Sequence, residues 1–446
     1  MRGPLRCLVI SHSHPRVLHG GSEVASYSLF ERLRAEPDVE AAYLGCSRGA
    51  MHARSGPSIT QPFPDGSFLY SLGEFDWFRF ANRDMRFVRD FRALLAELRP
   101  DVVHFHHYIN VGVEAFHHVR EVLPDASIVL TLHEMLAICN QQGQMVTRPD
   151  GKLCTRSGNV ECARCFPEVS PADFFLRRAY LGRFLALVDR FVAPSAFLAR
   201  RFVEWGLPEE RVEVLENVPA AFPAPGKAAT LLGIAGSDVP AARPGGNGLR
   251  VGFFGQISEL KGMDVLLDAA KLLDREGRTD ISFRIHGDHT TQPQPFQERF
   301  RRRIAKAGSN LVFEGAYRNE HVDALMRDVD VVVVPSVWWE NSPVVIQESF
   351  RNGRPVLCSN IGGMAEKVVD GVTGRHFGVN NPRALATLLT DLADDPAGLD
   401  ALRRGVAARE RPDSFAAHLA LYRGLRAGPG TGPDVTTGGA ALAGTA

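Results

Sequence analysis

A few groups of residues carry chemistry by type and spacing alone. Lys261 stands just before Gly262 in GQISELKGMDVLL, between a strand-like run and an apolar-periodic helix. An ammonium at a helix start can pair with a phosphate that also receives the positive end of the helix dipole. Glu340 and Glu348 lie in PSVWWENSPVVIQESF with seven residues between them. Ser342 is the expected N-cap and Pro343 the first position of the helix that carries Glu348, so Glu340 belongs to the preceding loop. The two carboxylates can then accept hydrogen bonds from different hydroxyls of one extended ligand. Gly20 and Gly21 precede Ser22, another N-cap candidate, and would let a backbone approach an anion without a Cβ in the way; the plainer alternative is a tight turn. Cys139, Cys154, Cys162 and Cys165 fall within 27 residues and end in a C-x2-C pair, which is a zinc-ligand spacing.

These side chains need a frame. Leu8 to Ile10 reads as a strand and Ser22 to Arg34 as a helix, with Val102 to Phe105 and Ile128 to Leu132 as further short strands around a helical 113–122. After a Pro-, Gly- and Ala-rich stretch over 220–248, a second series follows: strand 250–254, helix 263–273, strands 281–286 and 330–334, helix 344–350, strand 355–358. Such alternation builds parallel sheets with helices on both faces. The expected fold is therefore α/β, with two doubly wound Rossmann-like domains facing a central cleft that is lined by the loops after the strands. Residues 1–219 form the N-terminal domain, with a Cys-rich insertion at 139–165, and 220–248 form the linker. Residues 249–412 form the C-terminal domain, 413–427 a last helix, and 428–446 a disordered tail.

Composition narrows the function. The chain has 446 residues, 45% of them hydrophobic and 23% charged, which fits a soluble globular protein of more than one domain. Lys plus Arg and Asp plus Glu both number 51, so no global charge attracts nucleic acid, and an anion must meet a local basic site. No run approaches the ~18 apolar residues of a membrane span, and the N-terminus lacks a signal-peptide core, so a cytoplasmic protein is expected. Seven cysteines, an odd number in a long chain, do not suggest a secreted disulfide framework.

Taken together, HGGSE, DVVHFH, TLHE, APS, FFGQISELKG, the Glu340/Glu348 pair and GGMAEKVVDGVTG span nearly the whole chain. In that combination the sequence resembles the family 4 glycosyltransferases, retaining enzymes of GT-B architecture. The resemblance implies a nucleotide-sugar donor in the C-terminal half and an acceptor in the N-terminal half. The acceptor would be a polysaccharide or other glycan, a lipid-linked sugar or a secondary metabolite. It implies that Lys261 contacts the donor diphosphate, Gly21 (with Gly20) closes on the phosphates, Glu348 binds the ribose hydroxyls, Glu340 holds the donor sugar and His133 faces the sugar and diphosphate. His133, Glu340 and Lys261 would be the catalytic set. Gln256, Asn341 and Ser342 would complete the donor site, although Gln256 stands where the family often has Arg, and Pro343 offers no N–H to the sugar. An oxocarbenium-like transition state, with charge building on the leaving diphosphate, would be stabilised by Lys261 and helix-start amides without a catalytic cofactor. The alternatives are a silent nucleotide-sugar-binding partner subunit and a nucleotide-sugar epimerase.

The remaining features fall outside those motifs. His104, His106 and His107 alternate along a strand and read as wall or core, not as metal ligands. The cysteine loop has no hydrophobic periodicity of its own, so a structural zinc held by Cys139, Cys154, Cys162 and Cys165 is expected to fold it; an iron–sulfur cluster, a redox pair and unligated thiols are the other readings. Phe174 to Phe191 interleaves arginine with large apolar residues, either as a core-facing amphipathic helix or as a peripheral contact with anionic lipid at the inner membrane face. Glu298 to Ala307 reads as a solvated helix face rather than a nucleic-acid patch.

Overall fold

The computed structural model describes residues 3–18, 20–47, 56–219, 248–410 and 413–427. The expected linker, apart from Gly248, and the expected tail lie outside the described residues, as does His19. The described chain forms two units. Residues up to 219 together with 413–427 make the first, and 248–410 make the second.

In the first unit, β1 (Leu5–Ile10), β2 (Val39–Ser47), β3 (Ile59–Thr60) and β4 (Phe68–Ser71) precede a two-stranded ribbon of β5 (Phe75–Asp76) and β6 (Ala81–Asn82). Then come β7 (Val102–Phe105), β8 (Ser127–Thr131), β9 (Arg190–Ala193) and β10 (Val212–Val214). Outside the ribbon they form one sheet ordered β10-β9-β8-β7-β1-β2-β4-β3, parallel except for β3. Strand order reverses between β1 and β7. That is where the loops leaving the carboxyl ends diverge and open a crevice in sheets of this kind.

The second unit has a six-stranded sheet, all parallel: β11 (Leu249–Phe254), β12 (Ile281–His286), β13 (Leu311–Gly315), β14 (Val331–Val334), β15 (Val356–Ser359) and β16 (Gly374–Phe377), ordered β13-β12-β11-β14-β15-β16. Its reversal lies between β11 and β14. The four valines of β14 are all buried, and the pleat sends them to opposite sides. Val331 and Val333 pack with the Met263–Arg275 and Pro382–Asp394 helices, whereas Val332 and Val334 pack with Ile346 and Phe350 of the Val344–Arg351 helix. Helices on both faces explain why an uninterrupted apolar run, rather than an alternating one, makes this strand.

The Ser414–Ala427 helix belongs to the first unit, where Phe415, Leu419 and Tyr422 are buried with Leu5, Val9, Leu29 and Val102. Ion pairs of Arg423 with Asp38 and Arg426 with Asp101 fix its register on that sheet.

The stretch from Phe174 to Phe191 is not one helix. The Pro171–Leu185 helix, opened by a Ser170/Asp173 capping box, ends before β9 takes in Arg190 and Phe191. Its Arg177 is buried and donates to the carbonyls of Phe78, Ala137 and Leu136, while Phe175 and Leu176 are exposed. On the Gln294–Ile304 helix, Arg299 and Arg303 pair with Glu259, Asp264 and Asp268 within the unit, while Arg301 and Arg302 are exposed.

Candidate active site

The sequence-expected donor-site residues lie in and just after the loops that follow β1, β11 and β14, with His133 in the loop after β8. In the second unit, β11 runs into a loop whose Gly255 has φ of 131° and whose Gly262 has φ of 71°. At Gly262 a Cβ would stand 1.8 Å from the Pro335 carbonyl oxygen, so the start of the helix can lie against the loop after β14 only with glycine there. That contact brings Lys261 to Glu340. Lys261 Nζ lies 2.6 Å from Glu340 Oε1, which also accepts from Ser336 Oγ at 2.8 Å and Trp338 Nε1 at 3.0 Å. Glu340 is buried, and three donors converge on this one oxygen.

The Glu340 loop is clamped from behind. Gly363 N–H donates to the Glu340 carbonyl at 2.7 Å, and a Cβ on Gly363 would fall 1.4 Å from the Asn341 carbonyl oxygen. The helix carrying Glu348 begins at Val344 with Pro343 as N-cap and no side-chain cap bond, so the expected assignment of Ser342 as N-cap and Pro343 as first helical residue shifts by one position. Pro343 accepts from Ile346 N–H through its carbonyl, a role that its lack of an N–H does not affect. Glu348, five residues into this element, is buried; burial raises its carboxyl to about 7, with Arg351 lowering it and Asp323 adding to the rise. The Tyr317 hydroxyl lies within its field. Gln256 is exposed and donates to Thr291 Oγ1 at 3.2 Å. Asn341 and Ser342 are half-buried.

In the first unit, the helix after β1 spans Gly21–Arg34 with Gly20, not Ser22, at the N-cap. The reason is Glu23. Its carboxylate folds back over the helix start, so a Cβ on Gly20 would lie 2.5 Å from Glu23 Oε2. Glu23 also binds His12 Nε2 at 3.0 Å and Ser22 Oγ at 3.0 Å. The anion position at this helix start is thus filled by the chain's own carboxylate. Burial lowers the affinity of His12 for a proton, but the Glu23 bond and charge outweigh it and hold the imidazole above its usual range.

His133, in the loop after β8, is partly buried and accepts or donates through Nε2 to His106 Nδ1 at 3.1 Å. Burial lowers His133 to about 4 and His106 well below its usual value, so both rings are neutral near pH 7. His107 Nε2 binds Glu134 at 2.7 Å; although burial raises Glu134, His107 brings it down to about 2. A cavity of about 10 Å³, space for about one water, is lined by His107, Tyr108, Thr131, His133 and Glu134. His104 points into the core, where it bonds Thr131 Oγ1 at 2.7 Å and the Tyr422 hydroxyl. Sequence reasoning missed Glu23, His12 and Glu134. Glu23 and Glu134 close the HGGSE and TLHE motifs and His12 stands in the loop after β1, but their pairing depends on β1, β7 and β8 lying side by side.

Comparison with known proteins follows the same division. Residues 19–218 match the family described as Glycosyltransferase Family 4, and residues 248–395 match Glycosyl transferases group 1. Both parts of the chain thus match glycosyltransferase family models. A D-inositol 3-phosphate glycosyltransferase of Streptomyces avermitilis is 35% identical over 168 residues, 36% of each chain. Its counterpart from Thermobispora bispora is 28% identical over 344 residues, 72% of this chain and 70% of the relative. The alignment with the Streptomyces protein thus spans little more than a third of that relative's length. Among solved structures, the sucrose-phosphate synthase of Thermosynechococcus elongatus superposes with a TM-score of 0.65 at 17% identity, covering 95% of this chain and 99% of that one. Anabaena Alr3699/HepE in complex with UDP gives 0.61 at 18%, covering 95% and 100%. These likenesses establish the fold as GT-B, with two Rossmann-like domains. Among the described residues, no helix is long and apolar enough to cross a membrane.

Proposed function

We propose that the protein is a retaining glycosyltransferase that moves a sugar from a nucleoside-diphosphate sugar to a glycan, lipid-linked or small-molecule acceptor. One observation carries the reading: Lys261 and Glu340 are brought together at the order reversal of the all-parallel second sheet, with Glu348 on the helix that follows. A cation and two carboxylates at the carboxyl ends of parallel strands suit a ligand with a diphosphate and several hydroxyls. The match of both parts of the chain to glycosyltransferase family models supports the same reaction class.

In this reading Lys261 moves from Glu340 toward the donor diphosphate as it binds, and Glu340, still held by Ser336 and Trp338, accepts from sugar hydroxyls. Glu348 accepts from the ribose. As the bond from the anomeric carbon to the diphosphate oxygen breaks, Lys261 and the amides at the start of the Met263–Arg275 helix offset the charge on the leaving group. The acceptor oxygen bonds the anomeric carbon from the same face, and its proton passes to the departing diphosphate. His133, neutral at pH 7, contributes hydrogen bonds rather than charge. Gly20 and Gly21 reach a phosphate only if Glu23 yields the helix start.

Exposed Phe175 and Leu176, with Arg183 exposed further along the same helix, support a peripheral lipid contact for delivery of a lipid-linked acceptor, on the cytoplasmic side. The test of the main reading is titration calorimetry with UDP, GDP and ADP on wild type and on Lys261→Ala and Glu348→Ala. Binding of one nucleotide, weakened in both variants, is the expected result. Full binding in both variants would overturn the donor site, and acceptor-independent isomerisation of the donor sugar would replace transfer by epimerisation.

A further inference from the structure

Beyond the transfer chemistry, the segment after His133 presents a second site. Cys139, Cys154, Cys162 and Cys165 come from three separate local structures, yet all four line a single cavity of about 70 Å³. Cys139 closes a turn after Met135. A tight reversal then pairs Val146 with Leu153, and Cys154 N–H donates to the Met145 carbonyl at 2.7 Å, which returns the chain to Cys139. Cys162 and Cys165 sit three apart on the Asn159–Cys165 helix and so share one face.

The segment buries few apolar side chains of its own, with Met145 and the preceding Ile138 among those at the cavity. The helix has 7 residues and none of them is buried, too little for a helix to persist by its own propensity. Cys139, Cys162 and Cys165 carry no disulfide. The wall contains no histidine or aspartate, and its one carboxylate is Glu161. Arg156 lines it, and the Arg177 guanidinium lies within electrostatic reach of Cys139 and Cys162, placing positive charge where a thiolate set would need it.

We propose that residues 139–165 fold around one zinc ion held by the thiolates of Cys139, Cys154, Cys162 and Cys165. Four sulfur donors in a closed set suit structural, tetrahedral zinc. On binding, each thiol releases its proton to solvent as its sulfur bonds the ion. Among the described residues, no three metal-ligating side chains already stand together as a metal group, so the thiols turn inward about their χ1 bonds to close the site. The same loop is anchored at its start by Arg177, which holds the Leu136 and Ala137 carbonyls, so the ion fixes a wall adjoining His133.

The test uses the full-length protein, purified without a polyhistidine tag or chelator and analysed by inductively coupled plasma mass spectrometry. About one zinc per chain is expected, released in step with mercurial titration of the thiols. In Cys162→Ser and Cys165→Ser the content should fall to about a tenth of that, with the far-ultraviolet circular dichroism of the two sheets retained. Less than about a tenth of a zinc per wild-type chain would overturn the proposal. So would iron with visible absorbance, disulfides among the four cysteines by mass mapping, or undiminished zinc in both variants.

Discussion

Replacing Glu348 by Gln should stabilise the second unit at alkaline pH and leave it nearly unchanged in acid. Burial raises this carboxyl from 4.5 to about 7, so between those values the native state binds a proton that the unfolded chain has lost. Wild-type stability therefore falls as pH rises through that window. At about 1.36 kcal/mol per pKa unit the loss is complete near pH 8 at ~3 kcal/mol, a conversion suited to a side chain as buried as this one. Gln keeps the shape of the protonated acid and escapes the loss. For a unit of this size the variant should melt roughly 6–12 °C higher than wild type at pH 8 and within about 2 °C of it at pH 4.5. Differential scanning calorimetry across that range is the assay, and the transition that nucleotide raises identifies the relevant unit. If the carboxylate accepts from ribose hydroxyls, nucleotide binding at pH 6 should also release a proton, seen as a dependence of the binding enthalpy on buffer ionisation heat, and the variant should lack it. Melting curves of the two proteins that stay parallel from pH 4.5 to 8 would refute the reasoning, because they would mean an ordinary carboxyl at this position.

Lys261→Ala removes a charge-assisted bond of about 1.5–3 kcal/mol, so the affinity for a nucleoside diphosphate should drop about 10- to 100-fold while that for the bare nucleoside holds; equal losses for both would take Lys261 off the phosphates. Gly363→Ala forces the Asn341 carbonyl aside and should abolish nucleotide binding with the sheet intact by circular dichroism, whereas unchanged binding would show that the Glu340 loop needs no clamp. His133→Ala should lower kcat with little change in the donor KM. Because burial keeps the imidazole at about 4, the wild-type rate profile should show no His133 inflection between pH 6 and 8; an inflection there that the variant loses would make the ring a titrating group.

Much of the architecture follows from local pattern. Val331–Val334 reads as a doubly covered strand because four consecutive β-branched residues leave no solvent face, and the Val344–Arg351 helix follows from apolar residues at helical spacing after Pro343. The Lys261-Gly262 step and the Glu340/Glu348 spacing could likewise be read directly, since each lies within a few residues of the strand or helix that presents it. At the first helix, sequence reading slipped because of side-chain contacts that the local pattern does not show. Ser22 has the side chain of an N-cap, but Glu23 and His12 settle that helix start on Gly20.

The sequence by itself therefore determined the alternating elements, the two-domain class and the residue types of the site, because periodicity and turn chemistry act over a handful of neighbours. Only tertiary structure decided which of those residues meet. Lys261 reaches Glu340 across 79 positions because β11 and β14 are sheet neighbours, and Glu348 becomes a weak acid because its helix is pressed into the core. The Ser414–Ala427 helix closes the first sheet because Tyr422 and its apolar neighbours match a face formed by β1 and β7. Burial and strand order are properties of the packed chain, and no local pattern encodes either.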